Sequence, residues 1–123
     1  KIIFDLPENS HKFLNSLKEN GINVKEGGMN PVHMTDWGLH IYYNVASLVN
    51  KRSICGHHSV WQYEENRWAA EYEYSIGSCP VLDSYVERTI LFCVPSRLSD
   101  DQRTMILNPF DISCKKLKLK KDI

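Results

Sequence analysis

The chain has 123 residues, 42% of them hydrophobic and 24% charged, the balance of a globular protein rather than a disordered one, and its length suits a single domain spanning 1–123. Its 15 basic and 15 acidic residues cancel, which argues against a nucleic-acid binder, whose affinity rests on positive charge. No apolar run approaches the length of a membrane span.

Lys1 to Leu6 reads as a short strand through Ile2, Ile3, Phe4 and Leu6. A helix is predicted from Pro7 to Asn20. Proline suits a first helical turn, Glu8 suits the positive end of the dipole, and Phe13, Leu14 and Leu17 form the apolar stripe. Gly21 ends it in the left-handed conformation and sets Ile22 against Leu17 in a Schellman motif. Ile22 to Lys25 is a further short strand candidate, broken by Gly27-Gly28 and Asn30-Pro31. Met34 to Asn50 fits both periods: Trp37, Ile41, Val45 and Leu48 have helical spacing, and Leu39, Ile41, Tyr43 and Val45 alternate. Length favours the helix.

Beyond Asn50 the pattern reads as β. Trp68, Ala70, Tyr72, Tyr74 and Ile76 share one parity, and Glu71 and Glu73 the other, the signature of a half-buried strand. A two-residue turn at Asn66-Arg67 would pair this strand with Ser59–Glu65, with Trp61 opposite Tyr72 and every aromatic on one face. Tyr85 to Val94 alternates through Val86, Ile90 and Phe92. Phe110, Ile112 and Cys114 alternate after a connection over Ser99–Arg103, and Leu117 and Leu119 follow among lysines. The expected architecture is α+β, with one or two helices packed on an antiparallel sheet of about four strands.

The four cysteines, Cys55, Cys79, Cys93 and Cys114, are even in number and contain no C-x-x-C pair. Carried outward, the hairpin register brings Cys55 toward Cys79. Cys93 and Cys114 then pair across the next two strands. Two disulfides imply an oxidising compartment, hence a secreted or secretory-pathway protein, and four reduced cysteines would imply a cytoplasmic one. The chain opens on Lys1 rather than Met, which fits either processing, such as removal of a signal peptide, or a piece of a longer protein. It contains no N-x-S/T sequon.

The run Cys79-Pro80-Val81-Leu82-Asp83, then Phe92-Cys93, then Cys114 resembles the closing part of cystatin-like domains. Asn108 to Cys114 is similar to the end of a cathelin domain. The resemblance covers Cys79 to Cys114 and implies a helix wrapped by an antiparallel sheet with two disulfides. The family's inhibitory Q-x-V-x-G loop is not matched by Gln62-Tyr63-Glu64-Glu65-Asn66, and no tryptophan follows Pro95. The resemblance therefore transfers no inhibitory residue.

Cys55-Gly56-His57-His58 is the densest set of metal-capable groups, but it meets no known zinc spacing. A nucleophilic Cys–His pair has no distinguishing signal, and Glu71 and Glu73 on one strand face read as solvated. P-loop, dinucleotide and nucleophile-elbow motifs are absent. The lysines from Lys115 to Lys121 read as an edge or terminus that discourages aggregation. The sequence thus points to a non-enzymatic, disulfide-bonded module, without metal or cofactor. It would grip a protein partner through loops at one end of its sheet, Glu64–Arg67 and Ser96–Arg103. Trp61, Tyr63, Arg67, Trp68 and Arg97 are the binding candidates. The alternative is an intracellular interaction domain with reduced cysteines and zinc near Cys55–His58. The sequence leaves the oligomeric state open.

Overall fold

The computed structural model describes residues 1–22, 30–54 and 60–119. In chain order its elements are β1 (Ile2–Ile3), α1 (Pro7–Glu19), β2 (Val32–His33), α2 (Met34–Trp37), α3 (Ala46–Val49), α4 (Arg67–Glu71), α5 (Pro80–Val86), β3 (Thr89–Leu91) and α6 (Asp100–Lys116). Single 3-10 turns lie at Tyr42–Asn44, Val60–Gln62 and Glu64–Asn66. The chain divides into two compact units: Lys1–Trp37 with Tyr85–Ile123, and Gly38–Ser84.

The first unit is built on a three-stranded antiparallel sheet in the order β1-β3-β2, with Ile2 opposite Ile90, Val32 opposite Leu91 and His33 opposite Ile90. β1 and β2 therefore run parallel with a gap between them. Helix α1 makes the crossover and β3 later fills the gap, a split β-α-β arrangement. The predicted α1 is present. Leu6 is extended, as a residue before proline should be, and Pro7 opens the helix. At the other end Gly21 has φ 98°, its N–H reaches the Lys18 carbonyl at 3.2 Å, and the Ile22 N–H reaches the Leu17 carbonyl at 3.0 Å. These are the two bonds of a Schellman motif, and Leu17 and Ile22 are both buried.

The core of this unit gathers Phe4, Phe13, Leu14, Leu17, Ile22, Ile90 and Ile106. Aromatic edges knit it together: Phe13 meets Phe4 at 5.2 Å and Phe110 at 5.6 Å, and Phe110 meets Phe92 at 5.1 Å. Between α1 and α6 the small residues Ser16 and Ser113 are buried and share a hydrogen bond of 2.9 Å.

Helix α6 corrects the expected strand at Phe110–Cys114. Ser99 accepts from the Gln102 backbone N–H, and the Gln102 side chain accepts from the Ser99 N–H, a complete capping box. Ser99–Arg103 is therefore a helix start and not a connecting loop. Apolar residues at Ile106, Pro109, Phe110, Cys114 and Leu117, with the small Ser113 among them, follow the 3.6 period onto the core. Tyr85 to Val94 is likewise not one strand, because α5 occupies Tyr85 and Val86 and only Thr89–Leu91 pairs.

The expected long helix over Met34–Asn50 is broken into α2, which belongs to the first unit, and a 3-10 turn and α3, which belong to the second. Gly38 at φ 72° and His40 at φ 60° turn the chain between the first two. The predicted hairpin Ser59–Ile76 is absent in its described part: 60–66 forms two 3-10 turns and Arg67–Glu71 is helical. The sheet thus has three strands, not four, and short helices take the place of the meander. The small α+β fold is helix-rich where one or two helices were expected. The proposed strand Ile22–Lys25 falls, apart from Ile22, outside the described residues.

The disulfide prediction falls with the hairpins. Cys79, Cys93 and Cys114 are free thiols, so neither Cys55–Cys79 nor Cys93–Cys114 is formed. Cys79 precedes α5 and Cys114 sits on α6 against the core, so no pair of adjacent strands carries them together. The secretory placement rested on those bridges and loses its support.

Candidate functional site

Two clusters bear on chemistry. The first is in the sheet unit, around the buried His33. Its Nε2 lies 2.9 Å from Ser10 Oγ and its Nδ1 2.6 Å from Thr35 Oγ1. The Ser10 hydroxyl donates to the Pro7 carbonyl at 2.7 Å and the Thr35 hydroxyl lies 3.3 Å from Asp36 Oδ1, so each hydroxyl that faces a His33 nitrogen also has a second partner. The His11 ring stacks on His33 with centroids 4.1 Å apart. Burial and then the neighbouring His11 hold the His33 pKa below its ordinary value, against an opposing pull from Asp36. A serine and a histidine within hydrogen-bond reach suggest a nucleophile. Here Ser10 and His33 are 0% and 1% exposed, and every polar atom of the set is already bonded. The cluster ties α1 to β2 and is closed to a substrate.

The second cluster is the segment Val60–Ile76 of the other unit. Polar contacts rather than apolar packing hold it. Asn66 Nδ2 donates to the Val60 carbonyl at 3.0 Å, the Lys51 ammonium to the Ala70 carbonyl, and the Tyr72 hydroxyl to the Ser78 carbonyl at 2.9 Å. Ser78 Oγ donates to the Glu73 carbonyl at 2.6 Å. Asp83 anchors the following turn, accepting from Tyr42 Oη at 2.9 Å and from the Gly77 N–H at 2.8 Å. Loss of water and then the bond to Asp83 push the Tyr42 pKa up, so the phenol remains a donor.

These contacts leave aromatic side chains facing outward. Trp68 is 72% exposed and Tyr63 48%. Trp61 is half-buried and, with Ile54, Val60, Ser47 and Arg52, lines a groove of about 350 Å³. A larger groove of about 570 Å³ is lined by Tyr43, Val49, Lys51, Glu73, Tyr74 and Ile76, among others. Arg67 is exposed and pairs with Glu64 at 3.4 Å.

Four of the five predicted binding residues, Trp61, Tyr63, Arg67 and Trp68, therefore fall on this one segment. Arg97 belongs to the other unit, just before the α6 cap. The sequence pattern placed the aromatics on a sheet's inner face, whereas the structure turns Tyr63, Trp68 and Tyr72 to solvent. Tyr43 and Val49 are not among the candidates read from the sequence. They lie 31 and 25 residues before Tyr74 in sequence, and no strand pairing announces their approach to it.

Among the described residues no group of three or more His, Cys, Asp and Glu side chains is placed to hold a metal. Cys55, His57 and His58 lie outside them. No helix among those residues is long and apolar enough to cross a membrane. No family model, curated protein or solved structure matches the chain.

Proposed function

We propose that this chain is a non-enzymatic binding module that engages a protein partner through the aromatic segment Val60–Ile76. The carrying observation is the exposure of Trp68, at 72%, together with Ile54 at 93%, Val60 at 54%, Tyr63 at 48% and Ile76 at 72%, all in one small unit. Single exposed apolar residues are ordinary on a protein surface, whereas a concentration of large ones is typical of an interface. Tryptophan and tyrosine supply a large, stiff contact area and dominate interface energetics. The closed Ser10–His33 pair supports a non-catalytic reading.

The test is site-specific photo-crosslinking. A photoreactive residue at position 68, in an extract of the native source, is expected to capture a discrete protein whose yield falls when unlabelled chain is added in excess. The same group at Met105, exposed on the other unit, is expected not to capture it. Equal capture from both positions, or capture that excess chain leaves unchanged, would refute the proposal.

A further inference from the structure

The charge around the aromatic segment narrows the partner. Residues 38–84 hold five acidic side chains, Glu64, Glu65, Glu71, Glu73 and Asp83, against three basic ones, Lys51, Arg52 and Arg67. The imbalance is local, since the whole chain is neutral. Arg67 is engaged by Glu64, the Lys51 ammonium by the Ala70 carbonyl, and Asp83 by Tyr42 and Gly77. Glu65, Glu71 and Glu73 are exposed and make no ion pair among the described residues. Their carboxylates interleave with Tyr63, Trp68, Tyr72 and Tyr74 along the same stretch.

An aromatic face offers apolar area and negative ring faces, and carboxylates beside it add full negative charge. Both attract the same group, a guanidinium or ammonium on an aliphatic stem. The larger groove offers the rings of Tyr43 and Tyr74, the Glu73 carboxylate and the apolar Val49 and Ile76, and it also holds the Lys51 ammonium, which donates to the Ala70 carbonyl. An acidic or phosphorylated partner would meet repulsion here, and so would nucleic acid or an anionic lipid surface.

We infer that the occupant is a basic segment of a partner protein, an arginine- or lysine-rich stretch with interspersed apolar residues, seated along Tyr63–Ile76 beside the carboxylates of Glu65, Glu71 and Glu73. This inference rests on the proposed function and names its partner class.

The probe is a fluorescein-labelled peptide, three repeats of Arg-Leu-Arg-Ser, titrated with the full chain and followed by anisotropy and tryptophan emission. The control replaces every arginine with glutamine. The basic peptide is expected to bind at least tenfold more tightly than the control, and to weaken as salt is raised. The double variant Glu71→Lys/Glu73→Lys, both exposed, is expected to weaken it at least tenfold with an unchanged circular dichroism spectrum. Tyr74→Leu keeps apolar area but removes the ring face, and a several-fold loss is expected. Equal binding of the glutamine control would overturn the inference, as would affinity unchanged by charge reversal. A dimer in sedimentation that Glu71→Lys/Glu73→Lys dissolves would overturn it in favour of a second copy of this chain. Crosslinking from position 68 to a partner that no basic peptide displaces would sink the partner class alone and leave the binding-module reading standing.

Discussion

Burial sets the behaviour of His33 more than its chemical type does. The ring is sealed beneath His11, and both nitrogens are committed to neutral hydroxyls. Its pKa in the fold lies below the ordinary value near 6.5. The folded state therefore binds fewer protons than the unfolded state in the window beneath that value, and the sign of the linkage follows. The stabilisation is complete above pH 6.5 and is lost as the pH falls from there toward the folded pKa. Urea midpoints of the native chain are expected to fall between pH 7.5 and pH 5. In His33→Gln part of that slope should vanish, and at pH 7.5 about 1–3 kcal/mol should be lost with the buried hydrogen bonds. His11→Gln removes a neighbouring charge without opening the core, and should flatten the slope at little cost at pH 7.5. A slope unchanged in both variants would show that another group controls acid sensitivity.

At the scale of elements, helix ends carry much of the specification. Three helices end in the same pair of backbone bonds. After α1 the left-handed residue is Gly21, whereas after α3 and α6 it is Lys51 at φ 51° and Lys118 at φ 52°. Lysine reaches that conformation at a cost of about 1–2 kcal/mol, part of which glycine would return to the unfolded chain as entropy. Lys118→Gly is thus expected to raise stability by about 0.5–1 kcal/mol in urea melts, and Lys118→Val to lower it. Gly21→Val should lower it too, through backbone strain alone, since a Cβ there meets nothing within 4 Å. The Ser16–Ser113 bond offers a separate check on the α1–α6 contact. Either serine changed to alanine is expected to cost about 1–2 kcal/mol, because its partner loses the bond. The double variant should cost less than the sum of the two, and strict additivity would show that the bond contributes nothing.

The same ends explain what the sequence could and could not reveal. Pro7, Glu8 and Gly21 bracket α1 with local signals, and its apolar stripe admits one period only. Ser99 and Gln102 form the capping box of α6, but their polar run reads as a connection because Phe110, Ile112 and Cys114 alternate and Pro109 discourages a helix. The helical row Ile106, Phe110, Ser113 and Leu117 runs through the same residues, and tertiary burial selects it. Trp68 to Ile76 shows the opposite failure. Its alternation is clean, but a strand needs a partner, and the stretch that would pair with it turns into 3-10 helix. The aromatic identities were therefore legible as binding candidates, while their direction was not. The Tyr43–Glu73–Tyr74 groove depends on contacts between distant segments and has no local signature.

At the scale of the whole molecule, the two units differ in how they are held. Among the described residues nine large hydrophobics are buried, and of these only Ile41 belongs to 38–84. The sheet unit has an apolar core with layered aromatic contacts, whereas the other relies on exposed or half-exposed hydrogen bonds at Asp83, Tyr72, Ser78 and Asn66. Bonds open to water contribute little net stability, and a unit this small buries too little apolar surface to be robust alone. Opening free energies should accordingly differ along the chain. In native-state hydrogen exchange, amides of α4 and the 3-10 turns are expected to exchange at least a hundredfold faster than those of α1, β3 and α6. Adding the arginine-rich peptide should protect 60–76 selectively, because a ligand stabilises only the state that binds it. Uniform protection across both units in the free chain would refute this difference. Protection of α1 and α6 but not of 60–76 on adding peptide would place the binding surface on the sheet unit instead.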